Sequence, residues 1–259
     1  MKKIFKASVL AFALAFMLNA CGSDDSIKPV LYEMFDNYDY ANFPAGTPWS
    51  SYNRTSGTWT DANWSITNND SNHGAYLSVP SSGIQNSAFI NTNYNKTNVD
   101  CSESARLSIN SLDNNSVQLG VILRASDTSH AHYAFVYLVE NSGSPLVYGP
   151  TVEIQKVDAA GTTITKLGIA PIAGLTTPFD PTAVHTYRFS VSGTTTLTFT
   201  ASIDGIQQLP AVTNPDGTSI PPPITPIIDS GSVYTSGNPG FFVENANTAS
   251  VSRFFMWEP

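Results

Sequence analysis

Val117-Gln-Leu-Gly-Val-Ile-Leu-Arg-Ala125, the polar break Ser126-Asp-Thr-Ser129 and Ala131-His-Tyr-Ala-Phe-Val-Tyr-Leu-Val139 decide the reading of the chain. Each run is rich in the β-branched and aromatic residues that fit a pleated surface, and a polar hairpin stands between them. Apolar groups fall at both odd and even positions, so both faces of these strands are covered. In a sandwich, one face packs on the second sheet, and the other lies under loops or forms a partly apolar groove.

Outward from this hairpin the apolar spacing stays near two and hardly ever near 3.6. Clear strands are expected at Ala105–Ser111, Thr151–Val157, Thr186–Ser192, Thr195–Ile203, Gly240–Glu244 and Val251–Trp257. Weaker ones are expected at Leu31–Phe35, Trp64–Thr67, Tyr76–Val79 and Ser87–Asn91. Asp158-Ala-Ala-Gly161, Ser192-Gly193 and Asp204-Gly205 place Gly where a hairpin needs positive φ, which implies antiparallel pairing of consecutive strands. The stretch Leu209–Ile228, with Pro221-Pro-Pro-Ile-Thr-Pro226, cannot supply a central strand because Pro donates no ladder hydrogen bond. It reads as a stiffened surface loop.

Composition agrees. The 259 residues are 41% hydrophobic and only 12% charged, with 17 Gly and 17 Pro, and Ser, Thr and Asn fill polar positions that helices give to Lys, Glu and Arg. A helical bundle is disfavoured. The net charge of −8 argues against a nucleic-acid partner, because phosphate binding depends on Lys and Arg displacing counterions.

Residues 1–20 read as an export signal: Lys2, Lys3 and Lys6 precede an apolar run from Ile4 to Leu18 that is shorter than the roughly 20 residues a membrane span needs. The run closes in Leu18-Asn-Ala-Cys21, which resembles the lipobox of bacterial lipoproteins. That resemblance implies that Cys21 becomes an acylated N-terminus, exported and held to a membrane by lipid. Each buried CH₂ of such a chain contributes about 0.8 kcal/mol, and several chains together anchor stably. Gly22-Ser23 stands where the family's inner-membrane retention signal has Asp, so the outer membrane is the implied destination in a two-membrane cell. Residues 21–28 form the lipidated tether and 29–259 one domain. The leader holds three of the twelve Lys and Arg and no acid, so its loss takes the charge from −8 to −11. With Cys21 acylated, Cys101 has no intrachain partner and reads as a small buried hydrophobe beside Asp100 and Glu103.

The order of segments resembles a second family. Phe35-Asp36, Trp64-Ser-Ile66, Gly74-Ala-Tyr-Leu77, Gly120-Val-Ile-Leu-Arg-Ala-Ser-Asp127 leading into Tyr133-Ala-Phe135, Ile154-Gln-Lys-Val157, Leu197-Thr-Phe199 with Asp204-Gly205, and Ser236-Gly-Asn-Pro-Gly-Phe-Phe242 before Phe254-Phe255 are similar to concanavalin A-like, laminin-G-like jelly rolls of carbohydrate-associated proteins. The resemblance implies two curved antiparallel sheets of six or seven strands, with sugars on the concave face or at its rim.

Arg124, mid-strand in an apolar run, shares parity with Ile122 and Gly120; if Val121, Leu123 and Ala125 face the core, it projects onto the concave face as a donor to sugar hydroxyls, or pairs with Glu140 or Glu153. Tyr133 and Tyr137 share one face of the next strand and could stack on pyranose rings. Trp49, Tyr52 and Trp59 fall among Gly, Pro, Ser and Asn, where loop aromatics either cap the core or meet a ligand. His130-x-His132 near Asp127 could bind a transition metal, but His73 and His185 are the other imidazoles available to complete it. No cofactor is expected. A structural calcium would draw on Asp36, Asn37 and Asp39, yet the last strand has Ser252-Arg-Phe254 where relatives often have an acid.

The hydrolases of this fold carry Glu-x-Asp-x-(x)-Glu on one strand, and its lyases carry a strand Arg, Gln-x-His and a terminal Tyr pattern; none of these runs occurs beyond the isolated Arg124. The expectation is therefore a lipid-anchored envelope protein whose sandwich binds a glycan without chemistry. The alternatives are a polysaccharide hydrolase or lyase, with carboxylates or an Arg/His/Tyr cluster converging on the concave sheet, and a structural or adhesive surface protein.

Overall fold

The computed structural model describes residues 31–33, 35, 47–54, 65–68, 75–78, 85–94, 96–97, 101–109, 117–139, 151–158, 163–172, 180, 182–209, 227–231, 233–246 and 249–257. All regular structure among them is β. The strands are β1 Leu31–Glu33, β2 Trp49–Asn53, β3 Ser65–Asn68, β4 Ala75–Ser78, β5 Gln85–Asn91, β6 Lys96–Thr97, β7 Cys101–Ile109, β8 Val117–Ala125 and β9 His132–Val139. They continue with β10 Thr151–Val157, β11 Ile164–Pro171, β12 His185–Ser192, β13 Leu197–Ile203, β14 Ile206–Gln208, β15 Ile227–Asp229, β16 Ser236–Ala246 and β17 Ala249–Trp257.

Two antiparallel sheets result. One runs β14-β13-β12-β7-β17-β4-β3, with β1 on β17 and β15 on β13; the other runs β11-β10-β9-β8-β16-β5-β2, with β6 on β16. With these additions they hold nine and eight strands rather than six or seven, because short edge strands extend both. Hairpins link β8 through β11 and β12 through β14, as the turn residues implied. At Asp204-Gly205 both φ angles are positive, +50° and +78°, which is the twist a tight two-residue hairpin needs. The remaining neighbours come from distant segments: β16 lies between β5 and β8, and β17 between β4 and β7.

The core lies between the sheets. Phe89, Leu119, Val121, Phe135, Ile154 and Phe241 reach in from the eight-stranded sheet, and Leu107, Tyr187, Phe189, Phe199, Val251 and Phe254 from the other. A fully buried side chain of this size contributes roughly 1.5–3 kcal/mol, so the ring cluster dominates the packing energy. The outer faces differ. Along β13 every second residue is buried and the others meet solvent, whereas every residue of β8 but Gln118 is buried. The middle of the eight-stranded sheet is therefore buried on both faces, as the mixed parity of the central hairpin implied. Its outer face carries a second apolar cluster of Tyr52, Ala88, Ile90, Ile122, Ala125, Ala134, Val136 and Phe242.

Candidate functional site

That outer face also gathers three buried charges, Arg54, Glu153 and Glu244. Strand parity places them: Glu244 lies two residues past Phe242, His132 two before Ala134, and Gln155 is in register with Ala134. Arg54 follows β2 two residues after Tyr52 and is fully buried, with its guanidinium carbon 4.1 Å above the centre of the Phe242 ring. Three neighbours use its nitrogens. Nη1 lies 3.2 Å from Glu244 Oε1, Nε donates to His132 Nε2 at 3.1 Å, and Nη2 donates to Gln155 Oε1.

The array extends across β10. Gln155 Nε2 donates to Glu153 Oε2 at 2.6 Å, and Lys166 Nζ of β11 lies 2.6 Å from Glu153 Oε1. A connected path therefore runs Lys166, Glu153, Gln155, Arg54, Glu244. Each buried charge meets its opposite, without which it would be costly to hold away from water.

His132 is fixed in one form. Its Nδ1 sits 2.7 Å from the His130 carbonyl, an acceptor, so Nδ1 carries the hydrogen and Nε2 accepts from Arg54. Burial, followed by the nearby Arg54 charge, pushes its pKa down to about 3, so the ring is neutral. Tyr52 places its hydroxyl 3.2 Å from the same Nδ1 and stacks on the His130 ring, with centroids 4.3 Å apart. Burial raises the Tyr52 pKa, so its hydroxyl keeps its proton.

The residues singled out in the sequence fall elsewhere. Arg124 corrects the parity argument: it has φ +54° at a bulge where Asn238 pairs with Ala125 but Gly240 pairs with Ile122. The extra residue returns Ala125 to the outer face with Ile122 and turns Arg124 the other way. Its Nη1 donates to Tyr234 O at 2.9 Å and its Nη2 to Gly193 O at 3.2 Å, in the β12–β13 turn of the opposite sheet. Arg124 pins sheet to sheet, and Glu153 pairs with Lys166 instead. Arg124→Ala is expected to lower the unfolding free energy by about 1–3 kcal/mol, since it removes charge-assisted bonds to two carbonyls; urea denaturation checks this.

Tyr133, Tyr137 and Trp49 are corrected likewise. All three are buried between the sheets and present no stacking platform to solvent. Trp49 belongs to β2 rather than a loop and meets Phe254 edge-on at 5.3 Å. Tyr137 lies against Tyr187. Tyr133 donates to Asp229 Oδ2 at 2.7 Å, beside the Lys156–Asp229 ion pair, also at 2.7 Å. Burial opposes ionisation of Asp229, but Lys156 and the Tyr133 hydroxyl outweigh it and hold the pKa below the usual carboxylate range. Cys21, Trp59, His73, Asp36, Asn37 and Asp39 lie outside the described residues, as does the Cys101 side chain.

His130 and His132 do not converge with His185, which pairs with Asp204 at 2.6 Å on the other sheet. Among the described residues, no three His, Cys, Asp or Glu side chains are placed to hold a metal ion. The sequence reading missed Arg54, Gln155, Glu244 and Lys166. The available signal was parity: Glu153 and Gln155 share a face of β10, and Glu244 shares one with Phe242.

No protein-family model and no curated protein matches the chain. Solved structures do. A family-16 glycoside hydrolase from the Bacteroides ovatus mixed-linkage glucan system, in complex with product, aligns at 12% identity over 87% of this chain and 99% of that one, with a TM-score of 0.53. A family-16 endo-glucanase of the same organism aligns at 11% identity over the same shares, with a TM-score of 0.52. The carbohydrate-binding module CBM66 of Bacillus subtilis aligns more loosely, at 14% identity over 82% and 96%, with a TM-score of 0.46. At these identities the likeness is one of fold. The chain is a concanavalin A-like β-sandwich.

Proposed function

We propose that this is a lipid-anchored envelope protein whose sandwich binds a carbohydrate without transforming it. One observation carries the reading: the polar array of Arg54, His132, Gln155, Glu153 and Glu244 is itself buried, but its Lys166 end reaches solvent between the exposed Ile164 and Ile169, which offers hydroxyl-binding donors beside apolar surface. The fold resemblance supports it, because such jelly rolls often hold sugars on a sheet face. Anchoring rests on the Cys21 motif.

A second reading, catalysis, is favoured by the convergence of Arg54, His132 and Tyr52. Two features weigh against it. Glycoside hydrolysis usually needs one carboxyl as proton donor and another as base or nucleophile, yet Glu244 is engaged by Arg54 and Glu153 by Lys166 and Gln155. His132 and Tyr52 are fully buried, with His132 already accepting from Arg54.

The test uses the full chain produced in a bacterial host, extracted in detergent and applied to a glycan array. Retention of at least one glycan, unchanged in Arg124→Ala and without product release on long incubation, is expected. Failure to retain any glycan overturns binding, and turnover lost in His132→Gln establishes catalysis in its place. Cys21→Ser is expected to leave the membrane fraction; a variant that stays there removes the lipid anchor from the reading.

A further inference from the structure

The outer face is buried at Arg54, His132, Gln155 and Glu153, but it reaches solvent along β11. The β10–β11 register sets Ile164 opposite Val157, Lys166 opposite Gln155 and Ile169 opposite Glu153. A bulge between Ile154 and Gln155 leaves Leu167 as the extra residue, so Lys166 and Ile169 share a face despite their odd separation. Ile164 and Ile169 are 40% and 48% exposed, and the Lys166 side chain is 52% exposed. An ammonium thus stands between two bare aliphatic side chains where the polar array opens.

From this we infer, building on the glycan-binding reading, that the lip Ile164–Lys166–Ile169 is the outer subsite and takes a neutral sugar, with Lys166 serving as a hydroxyl donor rather than a counter-ion. The charge arithmetic carries the choice. The positive charge of Lys166 is already met at 2.6 Å by buried Glu153, and that of Arg54 by Glu244, so these two cations and two anions cancel. An anionic sugar would have to displace a carboxylate that Gln155 also holds. It would also approach a chain of net charge −8. Lys166 has three N–H groups and gives one to Glu153, which leaves two for ligand oxygens, while the isoleucines offer apolar surface to ring C–H groups.

Calorimetric titration of the full chain in detergent, with neutral oligosaccharides and with uronic-acid or sulfated ones, tests this. Neutral ligands are expected to bind, with Kd changing by less than about twofold between low and high salt. Lys166→Gln keeps donors without charge and should hold Kd within about threefold, whereas Lys166→Met should weaken it about tenfold. Ile164→Ser and Ile169→Ser, at exposed positions that leave the Glu153 ion pair intact, should each weaken binding several-fold. Preference for an acidic glycan, with steep salt dependence and equal loss in Lys166→Gln and Lys166→Met, overturns the assignment. Glycan binding that none of the four variants shifts rejects the lip and spares the function, while absence of binding to either class rejects both.

Discussion

Arg54→Met is expected to lower the unfolding free energy by about 3–5 kcal/mol, because it strands a buried carboxylate rather than merely removing a contact. Glu244 loses the guanidinium nitrogen 3.2 Å away, Gln155 Oε1 and His132 Nε2 lose their donors, and the cation over the Phe242 ring disappears. Met retains the volume, so the cavity contribution stays small and the unpaired charge dominates. Pairing the substitution with Glu244→Gln removes that charge and should recover about half of the loss. The two changes are then strongly non-additive. Urea denaturation of the four proteins in the cycle measures this. A loss below about 1 kcal/mol would mean that water reaches Glu244 in solution and that the outer face is open, which would remove the buried-array premise of the site.

The same array shows what the sequence could and could not disclose. β8 and β10 begin and end where expected, since continuous apolar runs bounded by polar breaks leave little freedom. β2 was hidden: five residues with two serines, next to Gly, Pro and Thr, resemble a loop until Phe89 and Ala88 pair with Ser51 and Tyr52. β11 was hidden by Gly168 and Pro171, although Gly161 signalled its hairpin. The face of Arg124 depended on a single inserted residue between the Ile122–Gly240 and Ala125–Asn238 pairs; next to that bulge Gly237, with φ +141°, lets the two backbones approach, and a Cβ there would lie 2.3 Å from the Arg124 carbonyl carbon. No local pattern marks such a bulge. The array itself depended on long-range order, because Arg54 directly follows the unseen strand and its partners come from three others. Parity gave Glu153 with Gln155 and Phe242 with Glu244, but with apolar residues on both faces it could not say which set turned outward.

Lowering the pH from 6 to 4 is expected to destabilise the protein by about 2–3 kcal/mol through His132 alone. Burial first, and Arg54 second, hold the pKa of this imidazole at about 3 in the folded protein, against an ordinary value of 6.5. Within that window the unfolded chain takes up the proton and the folded one does not, so unfolding is favoured as pH falls. Stability is therefore full above about pH 6.5 and declines toward pH 3 by about 1.4 kcal/mol per unit. The cause is structural: protonating Nε2 would abolish its acceptor role toward Arg54 Nε at 3.1 Å and set two cations face to face. Among its neighbours Tyr52 keeps its proton throughout, because burial raises its pKa. His132→Gln supplies an amide oxygen that can still accept from Arg54 and has nothing to titrate, so its stability should change far less over the same interval. Urea midpoints at pH 6, 5 and 4 for both proteins decide the matter. If the two decline in parallel, the acid sensitivity belongs to other groups, and His132 is not the neutral acceptor on which the Arg54 array depends.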